Sequence, residues 1–155
     1  MSKNKLFKVI TVVMSLLIIV AISPLFAEAG NTKETSWTFQ VGAYGTNKLI
    51  CSNGRDKNDS SSVYINCNSY TAGTGAKGSS FQATAYGSND SKTHFVNCEY
   101  NGNSSKTYSV SKGSVYYMIN YIYEAKCQFA NVWCAAPYNA NSTYSGVWSP
   151  DSSVY

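Results

Sequence analysis

The sequence predicts an all-β domain, an antiparallel sandwich or jelly-roll-like fold of about eight strands, and three observations predict it. Short runs rich in Val, Ile, Tyr, Phe and Thr recur along the chain. Within several of them apolar and polar residues alternate with the period of two that marks a half-buried strand. Clusters of Gly, Asn, Asp and Ser separate the runs at the intervals expected of short strands joined by turns.

The N-terminal stretch stands outside this pattern. Lys3, Lys5 and Lys8 precede an almost unbroken apolar run from Val9 to Phe26, and Ala27-Glu28-Ala29 supplies the small-x-small pattern of a signal-peptidase site. Residues 1–29 therefore read as a cleaved signal peptide and residues 30–155 as a single secreted domain. An uncleaved anchor is the alternative, because the apolar run reaches the length of a marginal membrane span. Without its three lysines and Glu28 the chain carries nine basic against seven acidic residues, a net charge of +2. That leaves no basic patch to track phosphates and argues against nucleic acid as the partner.

The strands follow in order. Trp37, Phe39 and Val41 alternate with Thr38, Gln40 and Gly42. After turn residues at Gly45-Thr46-Asn47, Asn53-Gly54 and 57–60, the runs Val63 to Tyr70, Phe81 to Tyr86, Thr93 to Tyr100 and Tyr108 to Val110 have strand length and composition. In the second of these, Phe81, Ala83 and Ala85 alternate with Gln82, Thr84 and Tyr86. The longest apolar and aromatic run beyond the N-terminus is Ser111 to Pro137. Alternation from Val115 to Phe129 makes it strand, although Val115, Met118, Ile119, Ile122 and Ala125 also fall at helical spacing. A break is expected at Glu124-Ala125-Lys126, with a single helical turn over Tyr121 to Lys126 as the other possibility. A second strand then runs from about Cys127 to Ala136, and a last one over Ser142 to Trp148 ends at Pro150-Asp151.

Five cysteines, Cys51, Cys67, Cys98, Cys127 and Cys134, leave one thiol over after any full pairing. A hairpin centred on Asp59 would set Cys51 opposite Cys67 at a separation that suits a disulfide. Cys127 and Cys134 sit at an odd offset and face opposite ways along one strand. The expected bridges are Cys51–Cys67 and a bond from Cys98 to Cys134 or Cys127. The alternative is that several are small buried apolar residues.

Catalytic and metal patterns are weak. The one histidine, His94, lies four residues before Cys98, roughly 13 Å along a strand, too far to activate it. No Cys-x-x-Cys or histidine cluster suggests zinc. Asp56-Lys57-Asn58-Asp59 reads as a solvated turn rather than a calcium loop. The carboxylates Glu34, Asp56, Asp59, Asp90, Glu99, Glu124 and Asp151 include no recognisable catalytic pair. No enzyme, cofactor or metal is implied.

Aromatic content is the positive signal. Thirteen Tyr and three Trp stand among Ser, Asn, Gly and Thr, a composition that gives large contact area with adaptable hydrogen bonds. The alternative is that tyrosine simply fills sheet faces. The C-terminal aromatics Tyr138, Tyr144 and Trp148 are the candidate ligand contacts.

The ending Tyr144-Ser145-Gly146-Val147-Trp148-Ser149-Pro150-Asp151-Ser152 resembles the closing Ser-Gly-x-Trp motif of an uncharacterised family of small exported β-rich proteins of Gram-positive bacteria. The resemblance extends to Trp37–Tyr44, Tyr108–Gly113 and Ala135–Asn141, while the cysteines and the segment from His94 to Tyr100 depart from it. It implies an extracellular β-rich domain of Gram-positive origin and carries no catalytic residue. The function expected is a non-enzymatic binding module at the cell envelope, with a protein or glycan partner. A bacteriocin-like effector acting on neighbouring cells is the alternative, and a small cell-wall hydrolase is a third. Contact with the membrane is expected only through the signal peptide before cleavage.

Overall fold

Strands form where an alternating run has a partner alongside. The computed structural model describes residues 30–153, so the expected signal peptide lies outside the described residues. In chain order the strands are β1 (Thr35–Gln40), β2 (Thr46–Leu49), β3 (Arg55–Asp56), β4 (Val63–Thr71), β5 (Ser80–Ser88), β6 (Glu99–Tyr100), β7 (Asn103–Ser104), β8 (Thr107–Ser111), β9 (Val115–Met118), β10 (Phe129–Ala136) and β11 (Thr143–Ser149). Two antiparallel sheets result, one in the order β1-β11-β4-β9, the other in the order β2-β10-β5-β8 with β3 also beside β10. Strands β6 and β7 pair only with each other. The all-β expectation holds, and the eleven strands exceed the eight expected because β2, β3, β6 and β7 are too short for alternation to reveal.

The two sheets share one core, a sandwich-like arrangement. The first sheet turns Trp37 and Phe39 of β1, Val63 and Ile65 of β4, Met118 of β9, and Tyr144 and Trp148 of β11 inward. The second supplies smaller groups: Ala83 and Ala85 of β5, Val110 of β8, and Ala130, Val132 and Ala136 of β10. Phe81 is the large exception. Its ring lies 5.7 Å from Trp37, 5.2 Å from Phe39 and 4.8 Å from Tyr144 between centroids. Burying a side chain of this size stabilises the fold by roughly 1.5–3 kcal/mol, so this cluster across the sheets is a main seam of the core.

One end of the molecule is closed by charge. Lys57 Nζ donates to Asp151 Oδ1 at 2.5 Å, and neither side chain is exposed. Lys57 Nζ also donates to the Ser61 carbonyl, while Asp151 Oδ2 accepts from the backbone N–H groups of Asn31 and Asn58. Arg55 adds bonds from its guanidinium to the Lys33 carbonyl and Asn31 Oδ1, and lies 5.7 Å from the centre of the Trp148 ring. The arm before β1, the segment after β3 and the tail after β11 are thereby tied at one point.

The closing run of the sequence serves this clasp. A β-bulge falls between Ser145 and Gly146 opposite β4. A Cβ on residue 146 would collide with the Asn66 carbonyl and meet the Trp37 ring at 3.0 Å, so only glycine lets the strands approach. Trp148 then enters the core, Ser149 Oγ donates to the Asp151 carbonyl, and Ser152 N–H donates to Ser61 Oγ.

Three expected elements differ. Thr93–Tyr100 is not a continuous strand: Gly87 and Val96 form an isolated bridge, His94 has φ 58°, and only Glu99–Tyr100 is extended in a ladder. The strand from Val115 ends at Met118, because Asn120 Nδ2 donates to the Met118 and Ser61 carbonyls and Asn120 Oδ1 accepts from Ile122 N–H. One hydrogen-bonded turn follows, Ala125 N–H to Tyr121 O, where a helical turn was the alternative expectation. The hairpin centred on Asp59 does not form, since β3 joins the second sheet and β4 the first.

Removing one partner of a buried ion pair leaves the other charge unpaired and costs about 3–5 kcal/mol, whereas an apolar pair of similar volume is often neutral. Asp151→Asn should therefore lower unfolding stability by about that much in urea titration, and Lys57→Met with Asp151→Leu by much less. A loss below ~1 kcal/mol for Asp151→Asn would show that the clasp is dispensable.

Candidate functional site

The outward residues of the second sheet form an aromatic and polar surface. On β10 the inward set Ala130, Val132, Cys134 and Ala136 leaves Trp133 and Ala135 facing out; on β5 Gln82 and Tyr86 face out beside them. Trp133 pairs with Thr84, Ala135 with Gln82 and Asn131 with Tyr86. The Tyr86 and Trp133 rings stack, 5.7 Å between centroids and 9° between planes. Both rings remain partly exposed.

From Trp133 the surface continues two residues to Ala135, roughly 7 Å along the strand, and opens into two adjoining hollows. One, of about 470 Å³, lies between the Tyr44–Asn47 turn and Gln82, Ala135 and Pro137. The other, of about 220 Å³, is bounded by Lys77, Gly78, Gln82, Pro137 and Tyr138. Gln82, Ala135 and Pro137 line both. Tyr44 at 98% and Tyr138 at 70% are the most exposed large hydrophobic side chains among the described residues and stand at the rims. Asn139 supports this corner from beneath, its amide Nδ2 donating to the Ser80 carbonyl and to Tyr144 Oη. Neither hollow is lined by a carboxylate, histidine or cysteine. The arrangement can stack on flat rings and exchange hydrogen bonds through Gln82 and Asn47.

A second aromatic hollow, of about 300 Å³, lies on the first sheet among Glu34, Tyr64, Tyr117 and Asp151. Its buried carboxylate is already committed to Lys57 and two backbone N–H groups.

Of the candidate contacts, only Tyr138 reaches the surface. Tyr144 and Trp148 are fully buried, because β11 is an inner strand of its sheet and both side chains point into the core. The corrected role of Tyr144 is structural: its hydroxyl donates to the Ser80 carbonyl across the sheets. Trp148 Nε1 donates to Cys51 Sγ at 3.2 Å. No two cysteine sulfurs are at bonding distance: Cys51 lies in the connection from β2 to β3 of the second sheet and Cys67 within β4 of the first, so the two do not face each other in a hairpin. Cys67, Cys98 and Cys134 are buried. His94 is exposed, hydrogen-bonded through Nδ1 to Thr93 Oγ1. No group of three or more His, Cys, Asp or Glu with metal-binding geometry occurs among the described residues. Sequence reasoning does not single out Trp133 and Gln82 as surface residues of this sheet, although the parity of Trp133 against the buried Cys134 is the available signal.

Burial raises the Tyr144 phenol to about 12. An unfolded tyrosine ionises near 10, so this group favours folding below pH 10, and the contribution is lost as the pH rises toward about 12. Ultraviolet titration should find a tyrosine that resists ionisation to that pH and is absent in Tyr144→Phe. Stability of that variant should fall less steeply over the same interval. Uniform titration of every tyrosine near 10 would contradict the buried placement.

The chain belongs to the family described as protein of unknown function (DUF2712), which matches residues 23–152. No curated protein and no solved structure matches the chain.

Proposed function

We propose that this member of an uncharacterised family is a secreted, non-enzymatic binding module of the cell envelope, with the outer face of the second sheet as its contact surface. The observation that carries the reading is the run of partly exposed rings and amides from the Tyr86–Trp133 stack to the hollows rimmed by Tyr44 and Tyr138. Aromatic side chains give contact area at low entropy cost, and a few placed amides fix orientation. Sugar rings offer both the apolar faces and the hydroxyls for such a surface, so the ligand of choice is a cell-envelope glycan. The signal-like N-terminus supports export, and the closing Ser-Gly-x-Trp run supports a Gram-positive envelope. A jelly-roll-like layering of the two sheets is part of the same reading.

The test is calorimetric titration of the purified protein with soluble peptidoglycan fragments and envelope polysaccharides. Saturable binding is expected with at least one of them. Trp133→Ala and Tyr138→Ala should each weaken it about tenfold, equivalent to about 1.4 kcal/mol, whereas Tyr117→Ala on the opposite sheet should leave it unchanged. Absence of binding to every envelope glycan would overturn the proposal, as would an equal loss in Tyr117→Ala.

A further inference from the structure

Two segments outside the main ladders meet over the inner face of β5. One is Val96–Cys98, attached to β5 by reciprocal backbone hydrogen bonds between Val96 and Gly87. The other is the turn after Asn120, where Lys126 takes φ 64° and Cys127 N–H returns to the Ile122 carbonyl. Cys98 Sγ lies 3.3 Å from Cys127 Sγ. Gly87 makes the room: a Cβ there would stand 2.6 Å from Cys98 Sγ, 2.9 Å from Ile122 Cγ2 and 3.1 Å from Cys127 Cβ. The inward positions of β5 shrink from Phe81 through Ala83 and Ala85 to this glycine, and its vacant side-chain space is taken by Cys98 Sγ, Ile122 Cγ2 and Cys127 Cβ.

We propose that Cys98 and Cys127 form the protein's one disulfide and that Cys51, Cys67 and Cys134 remain thiols. Bonded sulfurs stand about 2.05 Å apart, so the pair needs little more than an ångström of approach, within reach of side-chain rotation. The reaction is exchange with a disulfide oxidant, R–S–S–R. Cys127 is partly exposed and opens on a hollow of about 390 Å³ with Tyr123, Lys126 and Gln128. Its thiolate attacks one oxidant sulfur, forming Cys127–S–S–R and releasing R–S⁻. The Cys98 thiolate then attacks Cys127 Sγ, closing the bond and releasing the second R–S⁻. The two thiol protons end on two R–SH, and the oxidant gains the two electrons the cysteines lose.

The remaining thiols are occupied or shielded. Cys67 and Cys134 have no exposed surface, and Cys51 Sγ accepts the Trp148 indole N–H. Burial and the neighbouring Cys127 push the Cys98 thiol up to about 12, which makes Cys127 the sulfur that meets the oxidant. The crosslink joins positions 29 residues apart and restricts the unfolded chain accordingly.

The purified protein is incubated with oxidised glutathione, alkylated, and mapped by mass spectrometry without reduction. The expected product links Cys98 to Cys127 and is two hydrogen masses lighter, with Cys67 and Cys134 alkylated only after unfolding. Reduction should lower Tm by about 10 °C. Cys98→Ser, Cys127→Ser and the double variant should share one reduced Tm, and their deficit should vanish when wild type is measured in reductant. Alkylation of both Cys98 and Cys127 after oxidation would overturn the proposal. So would a bridge through any other cysteine, or a deficit that persists undiminished in reductant.

Discussion

Lys57 and Asp151 meet where neither side chain touches solvent, and the closed end of the molecule is arranged around them. An unpaired charge in such a place is strongly disfavoured. Asp151 therefore requires Lys57 and the backbone N–H groups of Asn31 and Asn58, and Lys57 requires the Ser61 carbonyl as well. Those partners come from the arm before β1 and from the segment leaving β3. The pair thus couples the second sheet, through β3, to the first, through β1 and β11. It also accounts for the closing run of the sequence. Gly146 allows the close approach of β4, Trp148 fills the core, and Ser149 turns the chain so that Asp151 faces inward.

This assigns different work to different parts of the chain. The distinctive C-terminal motif is consumed by packing and hydrogen bonding, and nothing in it is left to hold a ligand except the outward Ser145 and Val147. The proposed contact surface lies on the other sheet, built by β5 and β10 and by the turns around Tyr44 and Tyr138. Such a division leaves the loops free to vary in chemistry without disturbing the clasp.

Much of the fold was legible because period-two alternation reports which side chains share a face. Trp37 and Phe39, and Phe81, Ala83 and Ala85, turn inward as their alternation implies. Alternation does not report pairing. Thr93–Tyr100 alternates, yet Val96 is 56% exposed and bridges only Gly87, because the segment lies over the end of β5 rather than along it. The run from Val115 stops at Met118 because a single asparagine side chain replaces the ladder partners of the backbone. Counting outward from Asp59 assumed that flanking segments pair, which fails when β3 and β4 enter different sheets. The candidate contacts suffered likewise. Spacing places Tyr144 and Trp148 on one face of a strand, but which face is inward depends on the second sheet, through Phe81.

The central claim is that the clasp holds the fold while the outer face of the second sheet meets the ligand. Chemical-shift mapping of isotopically labelled protein during titration with soluble cell-wall glycan tests it most directly. The account predicts changes concentrated at Gln82, Tyr86, Trp133, Ala135 and Tyr138, with the Asn31 and Asn58 amides beside Asp151 unmoved. Changes centred on Glu34, Tyr64 and Tyr117 of the opposite sheet, or none at saturating glycan, would contradict it.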